Sequence, residues 1–411
     1  MKVPPAHEAT TAQLGALNPG MASASPAAAQ VLIGTQPSGE LFCFDPFEMY
    51  RLGLITNPNV AIFGQIGRGK SSFVKTFLFR QAAFGRRIVV LDPKGEYAPL
   101  ARALGSEPLL LSPGGPVRLN PLALDSTLGQ AVDQRRGCLN SAMVVATAVM
   151  GRELSPGEHL AVELAIDQVL AIQAPTLAAL AGSLLAPDER AAFAIGSSAA
   201  ELRSESRAVA FELRRFVTGE LSGIFDAEKS QGFEFESDIS VIDLSAIYRS
   251  DALGPAVACV QLAVEGLLRK ESLRQTVMVL DEAWAVLSNA GAARFLQSSF
   301  KLARTFGVSN LVVAHRVSDL GATGSDGSVV SELSKGLLAD CETIVCYAQS
   351  EQEVEACSRA FGLSGLERAL LPSLPRGTAL WHVGRDRCLV EHRLSPLELA
   401  LVDTDRAMTS L

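Results

Sequence analysis

Asn59-Val60-Ala61-Ile62-Phe63-Gly64-Gln65-Ile66-Gly67-Arg68-Gly69-Lys70-Ser71-Ser72 is an apolar run, a glycine loop and the start of an amphipathic stretch. Gly64, Gly69, Lys70 and Ser71 satisfy G-x-x-x-x-G-K-[ST], the pattern whose backbone N–H groups wrap nucleotide phosphates at a helix N-terminus. Glycines let the backbone take positive φ and approach an anion with no Cβ in between, and Gly67 adds a further permissive point. Lys70 would reach the β- and γ-phosphates, and the Ser71 hydroxyl would complete a Mg²⁺ shell. Gln65, Ile66, Arg68 and Ser72 fill the rest of the loop. A chance glycine turn would lack the required context, which is present here. A strand pattern, Val60 to Phe63, precedes the loop, and Phe73, Val74, Phe77 and Leu78 follow it at helical spacing.

Such a loop needs an acidic partner at the end of a second strand, and Thr276-Val277-Met278-Val279-Leu280-Asp281-Glu282-Ala283-Trp284 supplies one. Asp281 is placed to hold the Mg²⁺ water shell and Glu282 to polarise an attacking water. Two acids after a strand also make an ordinary helix N-cap; the loop upstream favours the catalytic reading. Arg87 to Asp92 is a continuous apolar strand running into Pro93-Lys94-Gly95-Glu96-Tyr97, the pattern of a strand buried on both faces with a ligand beyond its carboxyl end. Asn310 to Ala314 is another strand, closed by His315, where ATPases of this strand order place a polar γ-phosphate sensor; a lone histidine is as often structural. Arg304 ends the preceding helix. It is ordinarily a solvated charge, but in an oligomer it could enter a neighbour's site.

The rest of the 411 residues is arranged around these segments. Residues 1 to 30 read as a disordered tail rich in Ala, Pro, Thr and Ser, with no hydrophobic region for a signal peptide. Val31 to Phe47 reads as a small hairpin beside the nucleotide strand. Residues 31–125 would be the first part of the core. Residues 126–229 are Ala/Leu-rich, with helical periodicity and a capping box at Ser155-Pro156-Gly157-Glu158, and read as an all-helical insertion or lid. Residues 230–411 would complete the core through strands at Ile239, Thr343, Thr378 and Cys388.

Composition narrows the classes. Hydrophobic residues make up 48% and charged ones 19%, ample for a buried core. A net charge of −8 argues against a surface that binds nucleic acid everywhere, so contact with DNA would need a local basic patch or a pore built by oligomerisation. Seven scattered cysteines with no C-x-x-C pair indicate reduced thiols in a cytosolic protein, and the five histidines have no ligand spacing, so no structural metal is expected. No apolar run is long enough to span a bilayer.

The glycine loop, Leu91-Asp92-Pro93-Lys94-Gly95-Glu96-Tyr97, Leu119-Asn120-Pro121, the helical block, Leu280-Asp281-Glu282-Ala283-Trp284 and the helix-strand pair through His315 come in one order. In that order they resemble the TraC-like ATPases of conjugation and type IV secretion, within the FtsK–HerA superfamily of ring motors, over roughly residues 34 to 400. The resemblance implies an α/β, RecA-like P-loop NTPase fold: a mostly parallel sheet, helices on both faces, and an all-helical insertion. It implies ATP and Mg²⁺ as cofactors, self-assembly into a ring, a hexamer, and a cytoplasmic place, peripheral at the inner face of the cell membrane, beside inner-membrane channel proteins and DNA. It also implies Glu96 near the γ-phosphate and Arg304 as a finger acting across the subunit boundary. Two departures stand out. Those enzymes carry a sizeable domain before the motor where this chain has a short tail, and they place Gln at the sensor position held here by His315.

The reading is thus a motor ATPase energising conjugative DNA or protein transfer. Its neighbour is a HerA- or FtsK-type pump of duplex DNA, and a reading from another class is a nucleotide-gated scaffold without hydrolysis. The intact Asp281-Glu282 pair argues against the scaffold, since binding alone needs no acid to polarise water. Asp92-Pro93-Lys94-Gly95 also matches a GTPase D-x-x-G, but no N-K-x-D follows it.

Overall fold

The computed structural model of the chain describes residues 30–122, 131–172, 174–233, 237–270, 274–318 and 329–402. Residues 1–29 of the expected N-terminal tail, residues 319–328 and the last nine residues lie outside these segments. The chain begins with the hairpin β1 (Val31–Thr35) and β2 (Leu41–Phe44), then α1 (Pro46–Arg51) and β3 (Val60–Phe63). The glycine loop follows, then α2 (Lys70–Ala83), β4 (Arg87–Asp92), α3 (Ala98–Ala103) and the short β5 (Leu109–Leu110). Five helices come next: α4 (Ala131–Met150), α5 (Pro156–Ile172), α6 (Leu177–Leu185), α7 (Glu189–Ala194) and α8 (Ala199–Val217). The sheet resumes with β6 (Ile239–Asp243), α9 (Leu253–Lys270), β7 (Thr276–Leu280), α10 (Ala283–Leu287), α11 (Ala290–Phe306) and β8 (Val308–Ala314). Last are α12 (Val329–Ala339), β9 (Thr343–Tyr347), α13 (Glu351–Phe361), α14 (Gly365–Leu370), β10 (Thr378–Val383), β11 (Asp386–His392) and α15 (Pro396–Val402).

The strands form one eleven-stranded sheet in the order β2-β1-β11-β10-β9-β3-β8-β7-β4-β6-β5. From β9 to β5 every pairing is parallel; β10, β11, β1 and β2 extend it antiparallel. The central parallel strands β3, β4, β7, β8 and β9 are buried along their whole length and mostly apolar because both faces are covered. Side chains alternate along a strand, so Ala61, Phe63, Val89 and Leu91 enter one core with the helical block, α9 and α11. Val60, Ile62, Ile88 and Val90 enter the other, with α2 and the hairpin.

Local chemistry sets the helix starts in the 131–217 block. Ser155 Oγ accepts from Glu158 N (3.1 Å) while Glu158 Oε2 accepts from Ser155 N (2.8 Å), the reciprocal cap expected there. Thr176 and Asp188 accept from Ala179 N and Ala191 N at the starts of α6 and α7. This block shares a core with the sheet and packs on α9 and α11.

One expectation is corrected. The β1–β2 hairpin forms, but not beside the nucleotide strand: β11, β10 and β9 stand between it and β3. The antiparallel β10–β11 pair extends the sheet from β9, and β1 finds its open edge at β11 through Gly34 and Thr35. Gly34 allows this close approach, since a Cβ there would fall 1.9 Å from the Glu391 carbonyl oxygen.

Candidate active site

Strand register gathers the site. Phe63 pairs with Ala314 and Cys346, and Leu280 with Leu91 and Val312, so the loop, His315, Asp281 and Asp92 leave the same carboxyl edge of the sheet. The strand β8 separates the strands bearing the loop and the acidic pair. The loop is tied into this edge: Gly64 N donates to His315 O (3.3 Å) and Gln65 N to Ala348 O (3.0 Å). A Cβ on Gly64 would lie 2.5 Å from the Tyr347 Cβ. Gly69 caps α2 with φ +107, a conformation that disfavours side chains, and its Cβ would press on Gly377.

Lys70 is buried beneath the loop. Its Nζ donates to the carbonyls of Gly64 and Gln65, the latter at 3.0 Å, and lies 3.1 Å from His315 Nδ1. Burial draws its ammonium down to about 8, against the pull of Asp281 and Glu282.

The acidic pair is held as tightly. Asp281 Oδ2 accepts from the buried Tyr97 hydroxyl (2.9 Å) and Oδ1 from Glu282 N (2.9 Å). Burial, with Glu282 alongside, pushes its carboxyl above the usual range. Glu282 has φ +51, the one positive value at a non-glycine among the described residues. Its Oε1 is 2.5 Å from Lys94 Nζ and 3.0 Å from His315 Nε2, and its Oε2 accepts from the Trp284 indole. Burial alone would raise its pKa, but hydrogen bonds from His315, Lys94 and Trp284 together carry it down to about 2. Asp92 builds the turn that presents Lys94, accepting from the backbone N–H groups of Lys94 (3.2 Å), Gly95 (2.9 Å) and Tyr97 (2.9 Å). Burial outweighs those bonds and lifts its carboxyl to about 6.

These groups open on a cleft of about 750 Å³ lined by Ile66, Gly67, Gly69, Lys70, Ser71, Ser72, Lys94, Glu96, Asp281, Glu282 and His315. Arg376, Gly377, His392, Leu394, Leu399 and Val402 line the same cleft, with Gly377 N donating to the Arg68 carbonyl of the loop (3.0 Å). Among the described residues, none from the 131–217 block lines the cleft. A larger cleft, about 1060 Å³ between Glu342, Phe361 and His382, sits at the opposite edge of the sheet and contains no phosphate-loop residue. Chemistry, not size, marks the site.

Gly64, Gln65 and Arg68 belong to the loop but are not among the residues lining the cleft. Arg304 is not brought to this cleft. It is exposed at the end of α11, on the amino edge of the sheet, about 20 Å away along the length of β8. The sequence reading did not single out Lys94, Tyr97, Trp284, Arg376 or His392. The first three flank quoted acids and carried a signal; Arg376 and His392 reach the cleft only through the antiparallel extension. For Mg²⁺ the donor set fits: the Ser71 hydroxyl and the Asp281 carboxylate are hard oxygens on one cleft, and this ion takes one or two protein oxygens beside phosphate and water.

The profile of the helicase HerA central domain matches residues 54–129. No curated protein matches the chain significantly. Among solved structures, VirB4 of Thermoanaerobacter pseudethanolicus superposes with a TM-score of 0.73 at 23% identity, over 91% of this chain and 99% of that one. The plasmid coupling protein TrwB in complex with the ATP analogue ADPNP superposes with a TM-score of 0.60 at 14% identity, over 94% and 93% of the chains. TrwB with ADP and Mg²⁺ gives 0.57 at 16%, over the same shares, 94% and 93%. The chain therefore has the P-loop NTPase fold of VirB4 and TrwB, and within it a segment similar to the HerA central domain.

Proposed function

We propose that this chain is a Mg²⁺-dependent ATPase that powers conjugative DNA or protein transfer through a type IV secretion-like channel, working as a ring at the inner face of the membrane. The observation that carries the catalytic part is the meeting of Lys70, Asp281, Glu282, His315 and Lys94 on one cleft at the loop. The fold shared with VirB4 and TrwB carries the biological part. No single helix among the described residues is long and apolar enough to cross a membrane.

In this reading the loop N–H groups and Lys70 hold the β- and γ-phosphates, and Ser71 and Asp281 hold Mg²⁺, which would neutralise charge developing on the phosphate oxygens. Glu282 takes the proton of the attacking water. His315 bridges Lys70 and Glu282, so it reports the phosphate to the acid. Glu96, which lines the same cleft, would stand near the γ-phosphate. Most of the rate comes from charge fixed in place before the reaction.

The test is release of phosphate from ATP with magnesium. We expect Lys70→Ala to abolish nucleotide binding, and Glu282→Gln to bind ATP but turn over at least about 100-fold more slowly. Unchanged turnover in Glu282→Gln would remove that residue from its role, and a wild-type protein inert toward ATP would end the proposal in favour of a scaffold. The HerA-like segment favours one second reading, a duplex DNA translocase; strong stimulation of turnover by duplex DNA alone would select it.

A further inference from the structure

Lys94 lines the cleft but lies outside the phosphate-loop pattern. Its ammonium is 2.5 Å from Glu282 Oε1, which also lies 3.0 Å from His315 Nε2, whose other nitrogen is 3.1 Å from Lys70 Nζ. Lys70, His315, Glu282 and Lys94 thus form one unbroken line of contacts, with the Glu282 carboxylate serving the Lys94 end. The line starts at the ammonium that grips the terminal phosphates. Lys94 stands on a firm base, since Asp92 accepts three backbone N–H groups of its turn and Gly95 takes φ +72 there. Glu282 is equally constrained in its left-handed conformation. The part of the arrangement with freedom to move is the long Lys94 side chain, which is 36% exposed.

A carboxylate that accepts bonds from Lys94, His315 and Trp284 at once has little capacity left for a proton from water. A terminal phosphate carries about twice its charge and offers three oxygens. We propose that Lys94 is a latch on Glu282 that responds to the γ-phosphate. It holds Oε1 of Glu282 in the structure, and passes to a γ-phosphate oxygen when a nucleoside triphosphate is seated. Glu282, kept in orientation by His315 on Oε1 and Trp284 on Oε2, then has the Oε1 lone pair that Lys94 held free for the attacking water. The water oxygen bonds to the γ-phosphorus, the bond to the bridging oxygen breaks with its electrons leaving on the diphosphate, and the water proton goes to Glu282. A diphosphate presents no γ-oxygen, so the latch stays on Glu282. This makes Lys94 a residue that distinguishes substrate from product, and it rests on the triphosphate reading above.

The chain carries its own reporter. Of its two tryptophans, Trp284 donates its indole N–H to Glu282 Oε2, while Trp381 is 1% exposed in an aromatic cluster with Phe42, Phe44 and Phe73. In full-length Trp381→Phe protein, a non-hydrolysable ATP analogue with Mg²⁺ should shift the Trp284 emission, and ADP with Mg²⁺ should not. Should that variant fail to fold, the wild-type spectrum minus that of Trp284→Phe gives the same readout. Lys94→Met should abolish the analogue-specific shift and lower kcat at least about 10-fold, with ADP affinity held within about 2-fold; Lys94→Arg should restore part of both. A lysine that merely propped the turn would change ADP and analogue binding alike. Equal shifts with analogue and ADP, or wild-type kcat in Lys94→Met, would overturn the latch while the ATPase reading stood. Absence of ATP hydrolysis by the unsubstituted protein would overturn both.

Discussion

His392 shows how the cleft constrains single residues. Its Nε2 lies 2.9 Å from Thr76 Oγ1, and burial together with the Arg80 guanidinium pushes the imidazole down to about 4, against the pull of Glu398. In the unfolded chain the same group takes up a proton near its ordinary value of 6.5. Between about 6.5 and 4 the unfolded state therefore binds more protons than the folded one, and this residue subtracts stability as the pH falls. Asp92 acts with the opposite sign, because its carboxyl is raised to about 6 in the fold. A comparison of variants separates the two: the drop in Tm between pH 7 and pH 5 should be smaller in His392→Gln than in wild type, measured by thermal scans in matched buffers. An equal drop would show that His392 is protonated in the fold. Glu282, drawn down to about 2, contributes stability that is full above its ordinary 4.5 and is lost only as the pH falls toward 2, below this window.

At the scale of elements, the hairpin and the nucleotide-binding helix are joined by rings. Trp381 on β10 has Phe42 at 5.0 Å and Phe44 and Phe73 at 5.3 Å between centroids, and Phe44 also meets Phe77 of α2 at 6.2 Å. Phe44 is fully buried and does not line the cleft. Phe44→Ala should cost about 3–5 kcal/mol in denaturant unfolding and leave the ADP affinity of the folded protein close to wild type. A loss of affinity larger than about 10-fold with little change in stability would mean that the rings position α2 rather than merely hold it. The strands buried on both faces were legible in the sequence because an apolar run bounded by Gly, Pro and acid has few other uses. The hairpin was legible as an element but not in its place, because alternating residues name a strand's faces and not its neighbours.

At the scale of the whole molecule, Arg304 is exposed and far from the cleft of its own chain, so any part it takes in hydrolysis would be at a neighbour's site. We therefore expect inactive Arg304→Ala subunits mixed with inactive Glu282→Gln subunits to regain part of the ATPase activity, because a mixed interface can join an intact Glu282 to an intact Arg304. Turnover is measured across mixing ratios; no recovery at any ratio would confine Arg304 to a solvated charge.

The sequence by itself determined the chemistry at the strand ends. Gly64 to Ser71, Asp281 and Glu282 are local patterns in which glycine freedom, a lysine and two acids have to occur at fixed spacing, so one chain suffices to read them. The folded chain alone shows that Lys94, His315 and Trp284 converge on Glu282, that Tyr97 fixes Asp281, and that Arg376 and His392 line the same cleft. Those contacts join segments up to hundreds of residues apart, and strand register, set by packing both faces of the sheet at once, is what brings them within hydrogen-bonding distance.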